Sequence, residues 1–420
     1  MPRAFDARAI PKDVHRIAEI IRAGGHRAWI VGGCVRDVLM GRAAKDWDLA
    51  TSARPEEVIG LFRRVVPTGI QHGTVTVVLG GVGYEVTTLR GEGAYSDGRR
   101  PDSVHFVHTI EEDLARRDFT VNAIAYDPID DQLVDPWGGL SDLDAGRIRA
   151  VGEASERFAE DGLRALRAAR FVATLEMELD PGTEAAIPAA LDTFAKVSAE
   201  RVRDEWEKAC KAARPSRAFA VMRRTGMLAR TAPMTRTLDE PTFALSLARM
   251  DLVRPEIAMR VGALLRDVAI THAELAAWLR AYRFSNPDRE RVLGIHQEAQ
   301  RGLHGDMEAA DRRRLLSKLG VETISALVEV ASADARARGV TDVAAVFGAQ
   351  VRADVDAKVP LTTRDLAVTG HDLMNALSLP PGRELGKLLE ALLALVLEDP
   401  STNERGSLLA HATRLRSPIS

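Results

Sequence analysis

The chain is poor in cysteine, in aromatic residues and in long apolar runs, and it carries no surplus of positive charge. Its 420 residues include 2 cysteines, Cys34 and Cys210. A disulfide framework is not expected, no disulfide partner is assigned, and a reducing cytoplasm suits this usage. No apolar run is long enough to span a bilayer, and the first residues lack an apolar secretion core, so no membrane role is expected. The run from Leu385 to Leu397 is broken by Lys387 and Glu390 and reads as an amphipathic packed helix. Lys and Arg number 57 against 60 Asp and Glu, a net charge of −3, so any nucleic-acid binding must come from local patches. Aromatics are only 5%, while Ala, Leu and Arg are abundant. That favours helices, above all beyond about residue 155. The 10 histidines show no pair at zinc-ligand spacing joined to cysteines. This length predicts two to four domains.

What the chain does have is concentrated early. Trp29, Ile30 and Val31 read as a short buried strand, Gly32-Gly33 as a tight turn, and Cys34 to Met40 as the start of a helix. A helix start after such a turn offers free N–H groups and a positive dipole end, which suits phosphate. Arg36 can add a guanidinium to the same anion. Asp46 and Asp48 follow on what reads as the next strand, where residues two apart share a face. Two carboxylates there repel unless a cation lies between them. Two magnesium ions would do this, and such ions clamp in-line phosphoryl displacement. Alone, a Gly-Gly pair is a turn and an Asp-x-Asp is a solvated strand end.

In this order, Gly-Gly-x-x-Arg-Asp followed by Asp-x-Asp resembles the nucleotidyltransferase signature of the class II tRNA nucleotidyltransferase and bacterial poly(A) polymerase superfamily. The likeness continues downstream. Tyr84 to Leu89 alternates as a strand, and a neighbouring strand could bring Glu85 beside the Asp pair as third carboxylate. Without the resemblance, Glu85 is an exposed strand glutamate. Arg90 to Pro101 reads as a mobile loop, which in the family helps switch from adding C to adding A. Arg116-Arg117-Asp118-Phe119-Thr120-Val121-Asn122-Ala123 matches a family motif. By resemblance, Arg117, Asp118 and Asn122 would test a ribose 2′-hydroxyl; read alone, the stretch is a charged helix cap. Asp135 to Leu143, with Pro136 and two glycines, reads as a hinge closing the first domain.

Glu160-Asp161-Gly162-Leu163-Arg164-Ala-Leu-Arg167 matches the family's Glu-Asp-x-x-Arg motif. Asp161 and Arg164 are three apart and are expected to share a helix face. Cytosine and adenine each present an exocyclic amine beside an unprotonated ring nitrogen. A carboxylate accepts from the first and a guanidinium donates to the second. Uracil and guanine present the reverse, and a mismatched partner in a buried polar site is costly. Asp161, Arg164 and Arg167 are thus implied as base readers; the bland alternative is a surface ion pair. Ser198 with Glu200-Arg201 would cap and brace the next helix. Arg266-Asp267 sits where some relatives carry a phosphohydrolase His-Asp, and His371-Asp372 is isolated; both read as non-catalytic. Arg312 and Arg313, with Arg314 and Lys318, form a candidate RNA-facing patch or a solvated helix face. Arg383 and Lys387, beside Gly382, could meet RNA phosphates or simply end a helical hairpin.

The resemblance implies an α+β protein. A nucleotidyltransferase head with a mixed β-sheet (1–137) would precede an all-helical neck (138–208), body (209–305) and tail (306–420). It implies addition of C, C and A to the 3′ end of tRNA from CTP and ATP. Asp46 and Asp48 would bind two Mg²⁺ with Glu85 as third catalytic carboxylate, and Gly32, Gly33 and Arg36 would hold the triphosphate. The tRNA acceptor stem and 3′ end are the implied partner. Alternatives are an enzyme adding only A or only CC, a poly(A) polymerase, and a non-catalytic RNA-binding protein. Thr68 to Thr74 stands where poly(A) polymerases carry a basic stretch, which argues against the poly(A) polymerase.

Overall fold

The computed structural model describes residues 4–92, 104–299 and 307–416. Two compact units divide at Pro233 and Met234. The first opens with α1 (Lys12–Ala23), whose Val14, Ile17, Ala18 and Ile21 are fully buried in one stripe beside β1 (Ala28–Val31). Each such aliphatic is worth roughly 1.5–3 kcal/mol when buried, so packing rather than helix propensity holds α1. Then follow α2 (Gly33–Leu39), β2 (Asp48–Thr51), α3 (Pro55–Leu61) with Pro55 at its first position, β3 (Val65–Gly69), β4 (Thr74–Leu79) and β5 (Val82–Thr88). A short ribbon of β6 (Arg90–Glu92) and β7 (Val104–Phe106) comes next. The head closes with α4 (Ile110–Ala115), β8 (Ala125–Asp127) and β9 (Gln132–Val134).

Seven strands form one mixed sheet in the order β3-β4-β5-β2-β1-β8-β9, as the sequence predicts for the head. Only β2 and β5 run parallel; their register pairs Leu49 with Val86 and so carries Asp48 to Glu85. On one face a core of Trp29, Val31, Ala50, Leu89, Ile110, Leu114, Ala123 and Ala125 fixes where α4 lies.

The chain then turns helical. α5 (Gly139–Ala145) is begun by Asp135, which accepts from the N–H groups of Gly139 and Leu140. The expected hinge is therefore a built helix start. A two-strand pair, β10 (Arg147–Ile148) with β11 (Glu178–Leu179), flanks α6 (Ala154–Glu160) and α7 (Leu163–Thr174). Next come α8 (Pro181–Ala186), α9 (Leu191–Phe194), α10 (Ala199–Cys210), α11 (Ser216–Arg224) and α12 (Met227–Thr231). Helices α10 and α11 pack on α7. The opening helices of the expected body thus belong to the first unit.

The second unit is helical: α13 (Glu240–Leu252), α14 (Ile257–Leu265), α15 (His272–Ala281), α16 (Asn286–Ala299), α17 (Ala309–Leu319), α18 (Val321–Arg338), α19 (Val343–Asp356), α20 (Gly370–Leu377), α21 (Arg383–Glu398) and α22 (Arg405–Arg416). The last three share a core of Leu373, Leu392, Val396, Leu408 and Ala412. Among the described residues no helix is long and apolar enough to cross a membrane.

Gly162 leads into α7 in close contact with the α9 segment. A Cβ there would stand 2.5 Å from the backbone N and Cα of Phe194. Gly162→Ala should therefore destabilise the first unit by about 1–3 kcal/mol through overpacking. Urea denaturation of the full chain checks this; an unchanged midpoint would show that the α9 segment gives way freely.

Candidate active site

Gly32 joins β1 to α2 at φ +82°, a region that L side chains rarely adopt, and a Cβ on it would stand 3.0 Å from Nη1 of Arg117. The turn brings two guanidinium groups together. Arg36 folds back so that its Nη2 lies 3.4 Å from the Cβ position of Gly33, and Arg117 reaches Gly32 from α4's end. Arg36 is not loose: its Nε and Nη2 donate to Asp37 at 2.9 and 2.7 Å, and its Nη1 donates to Asn122 at 2.5 Å. Arg117, implied at the ribose by the family resemblance, has its Nη1 at the Gly32 turn.

β2 begins at Asp48, so Asp46 precedes the strand and the expected shared strand face does not apply to it. The two carboxylates are nonetheless close enough to feel each other, and Glu85 joins from β5. Solvent reaches Asp48, yet the surrounding protein strips part of its water. That desolvation, then Glu85, then Asp46 hold its carboxyl above the usual carboxylate value, with Arg117 opposing. Among the described residues no hydrogen bond or ion pair engages the side chains of Asp46, Asp48 or Glu85. Nor does any group of three or more His, Cys, Asp or Glu among them close into a metal cage. Cys34, in the first turn of α2, donates to Val31 O, and burial pushes its thiol up to about 11. It is no nucleophile at neutral pH.

Behind the turn runs a buried chain of charge. Asn122 accepts from Arg36 and donates to Oδ1 of Asp118 at 3.0 Å; Arg167 grips Oδ2 of Asp118 at 2.6 Å. Burial alone would raise the Asp118 carboxyl, but Arg167, Asn122 and Arg164 outweigh it and bring it to about 2. Asp118 is thus a fixed anion. Arg170 pairs with buried Glu205, which also accepts from Lys208. Sequence reasoning passed over Arg170 and Glu205, although Arg164, Arg167 and Arg170 fall every third residue on α7, which marks one helix face.

The expected Asp161–Arg164 helix face is corrected. Asp161 has extended backbone (φ −139°, ψ 106°) and ends α6, while Arg164 lies inside α7. Asp161 accepts from the Leu163 N–H at 2.9 Å and pairs with Arg201 at 2.6 Å. Arg164 instead donates to Glu160 at 2.5 Å and to Arg116 O at 3.0 Å. Arg201 is therefore the brace for Asp161, while Ser198 occupies the N-cap of α10 without a side-chain cap bond.

In the second unit the RNA-facing patch is not formed as expected. Arg312 is buried against Asp354 at 2.7 Å, and Arg313 donates at 2.7 Å to Leu397 O and Glu398 O, the last carbonyls of α21. Arg314 is taken by Asp311 and Glu398. These arginines hold helices together. Arg383 and Lys387 do stand exposed on α21. Asp267 is held by Arg249 at 2.6 Å and Arg266 at 2.9 Å, and Asp372 pairs with Arg405, in keeping with structural roles. Both cysteines are buried and neither is in a disulfide. Most of the Arg90–Pro101 loop lies outside the described residues.

Comparison with known proteins places these features in context. Residues 28–149 match the family described as "Poly A polymerase head domain", 176–238 match "Probable RNA and SrmB- binding site of polymerase A", and 261–412 match tRNA nucleotidyltransferase domain 2. The CCA-adding enzyme of Lactobacillus johnsonii is 36% identical over 411 residues, 97% of either chain. That of Enterococcus faecalis is 35% identical over 415 residues, 97% of this chain and 98% of its own. The structure of the Bacillus stearothermophilus CCA-adding enzyme in complex with CTP superposes with a TM-score of 0.78 at 30% identity, covering 96% of this chain and 97% of that one. The Thermotoga maritima CCA-adding enzyme complexed with tRNA_CCA shares the fold, with a TM-score of 0.69 at 19% identity over 97% of each chain.

The raised Asp48 carboxyl has a consequence for stability. A carboxyl whose folded value lies above its unfolded one favours the protonated form on folding, so its charge at neutral pH opposes the fold. Asp48→Asn should therefore melt higher than the parent at pH 7 in EDTA. The gap should shrink as pH falls through the carboxylate range. Calorimetry at pH 7 and pH 4 checks both; a lower melting point for the variant at pH 7 would overturn the electrostatic reading.

Proposed function

The chain belongs to the family of CCA-adding enzymes, nucleotidyltransferases that process tRNA, and from that premise we propose that it adds C, C and A without a template to the 3′ end of tRNA, using CTP and ATP. The family is metal-dependent. The observation that carries the reading is the cluster of Asp46, Asp48 and Glu85, unpaired among the described residues, facing the Gly32-Gly33 turn with Arg36 and Arg117 above it.

The division of labour follows from the geometry. Asp46 and Asp48 would hold two Mg²⁺, with Glu85 as the third carboxylate. Such ions supply charge neutralisation at the phosphates and lower the pKa of the attacking hydroxyl. The Gly32 turn lets the nucleotide's phosphates approach backbone N–H groups, and Arg36 and Arg117 meet their charge. The tRNA 3′-oxygen attacks the α-phosphate, a new P–O bond forms, and pyrophosphate leaves on the side the arginines face. Asp118 stays ionised and Asn122 is oriented by Arg36 and Asp118, so both present fixed partners to a ribose hydroxyl. Asp161 keeps acceptor lone pairs beyond its bonds to Leu163 and Arg201. With Arg164 and Arg167 it would read the amine and ring nitrogen of C or A. Arg383 and Lys387 are proposed to meet tRNA phosphates. We place the enzyme in the cytoplasm, where reduced thiols such as the buried Cys34 and Cys210 are the rule.

Three tRNA substrates, ending before CCA, after C and after CC, each offered the four NTPs singly, test this. C on the first two and A on the third is the expected result. Extension of the CC end alone would make it an A-adding enzyme, and long A tracts a poly(A) polymerase. Asp46→Ala should abolish all addition while the fold persists. Arg164→Ala should keep slow addition but lose selectivity by one to two decades in the kcat/KM ratio, since a hydrogen bond to a charged group is worth roughly 1.5–3 kcal/mol. Unchanged selectivity with a lower rate would make Arg164 structural.

A further inference from the structure

Asp113, near the end of α4, touches no group that the proposed reaction moves, yet it is 1% exposed and fully engaged. Its Oδ1 accepts from Arg116 Nε at 3.0 Å, Arg116 Nη2 at 2.9 Å and the Arg90 N–H at 3.3 Å. Its Oδ2 accepts from Arg117 Nη2 at 3.3 Å. Among the described residues Asp113 is the only carboxylate within ion-pair distance of Arg117. The other end of that guanidinium, Nη1, sits over Gly32, and its charge is already felt at Asp48. Two carboxylates therefore compete for one cation: Asp113 behind it and Asp48 in front.

We infer that Asp113 is a positioning residue that holds Arg117 over the Gly32 turn and off Asp48, leaving the Asp48 carboxylate available to a divalent cation. The inference rests on the reading of Asp48 as a metal ligand. Oδ1 is occupied by Arg116 and Arg90, so a buried Asp113 would lack nothing on that side without Arg117; Oδ2 is committed to the one arginine that faces the site. Remove the carboxylate's charge and the pull of Asp48, which already feels Arg117, has nothing behind the guanidinium to oppose it. The same oxygen atoms tie this end of the site to base selection, because Arg116, clamped by Asp113, lends its carbonyl to Arg164.

The test uses the full chain, with Mn²⁺ binding followed by electron paramagnetic resonance and CTP binding followed by calorimetry, neither of which needs turnover. Asp113→Asn should weaken both Mn²⁺ and CTP by about tenfold or more, the scale of one charged hydrogen bond. Adding Arg117→Ala to it should restore Mn²⁺ affinity, since the competitor is gone, while CTP stays weak. A merely structural Asp113 would not give that split. Parental Mn²⁺ affinity in Asp113→Asn, or a loss that persists in the double variant, overturns the inference. Should Asp113→Asn not fold, Arg117→Ala alone decides: Mn²⁺ at least as tight as the parent supports it, and weaker Mn²⁺ overturns it. A parent chain that binds no Mn²⁺ would instead sink the metal-ligand reading itself, and this inference with it.

Discussion

The site depends on one electrostatic constraint: three carboxylates are crowded at the mouth of the sheet with no protein cation bonded to them among the described residues. The parallel pairing of β2 with β5 enforces it, because that register sets Asp48 level with Glu85. A sheet that otherwise pairs antiparallel spends its one parallel contact on bringing two like charges together. Such an arrangement persists only because the rest of the head, from the stripe of α1 to the core around Trp29 and Leu114, over-determines the strands. The crowding holds the Asp48 carboxyl above its usual value, and it is what the proposed divalent cation would relieve.

The second constraint is that every guanidinium near this crowd must be kept from collapsing onto it. Arg36 is tied to Asp37 and Asn122, Arg117 to Asp113, Arg164 to Glu160, and Arg167 to Asp118. Each of these arginines has a carboxylate bonded to it, and Asp113 is shared with Arg116. Isolated surface pairs of this kind contribute little. Buried ones are costly to assemble and costly to break, which favours a unique arrangement. The network therefore specifies direction more than stability.

Much of this was legible in the sequence, and the gaps have physical causes. Strand and turn chemistry located β1, the Gly32 turn, α2 and β5 because short periodic runs bounded by glycine carry strong local signals. The two aspartates stood out by their spacing, and the stretches 116–123 and 160–167 by their resemblance to family motifs. Spacing failed where it was converted to geometry without backbone angles. Asp161 and Arg164 are three apart, but Asp161 is extended at the end of α6 while Arg164 lies inside α7. Asp46 and Asp48 are two apart, but the strand starts only at Asp48. Arg312 and Arg313 looked like a patch because sequence shows charge but not the carboxylate that waits for it 42 or more residues later, as Asp354 does for Arg312. Asp113 was missed for the same reason: a bracing partner has no signature of its own until the fold brings it into place. Arg201 was read as bracing its own helix, and the residue it holds is Asp161.

Asp48 and Asp118 show what environment does to one residue type. Both are aspartates at the same site, and both lose water to the protein around them. Around Asp118 that loss is overpaid by Arg167, Asn122 and Arg164, so its carboxyl falls to about 2 and its charge is permanent. Around Asp48 desolvation, Glu85 and Asp46 push the carboxyl up, with Arg117 opposing. Under the proposed roles, an anion held by its own arginines offers a fixed acceptor to a ribose, whereas a carboxylate crowded by like charges gains most from an arriving cation. The opposite directions of the two shifts thus match the proposed division between recognising the nucleotide and transferring it.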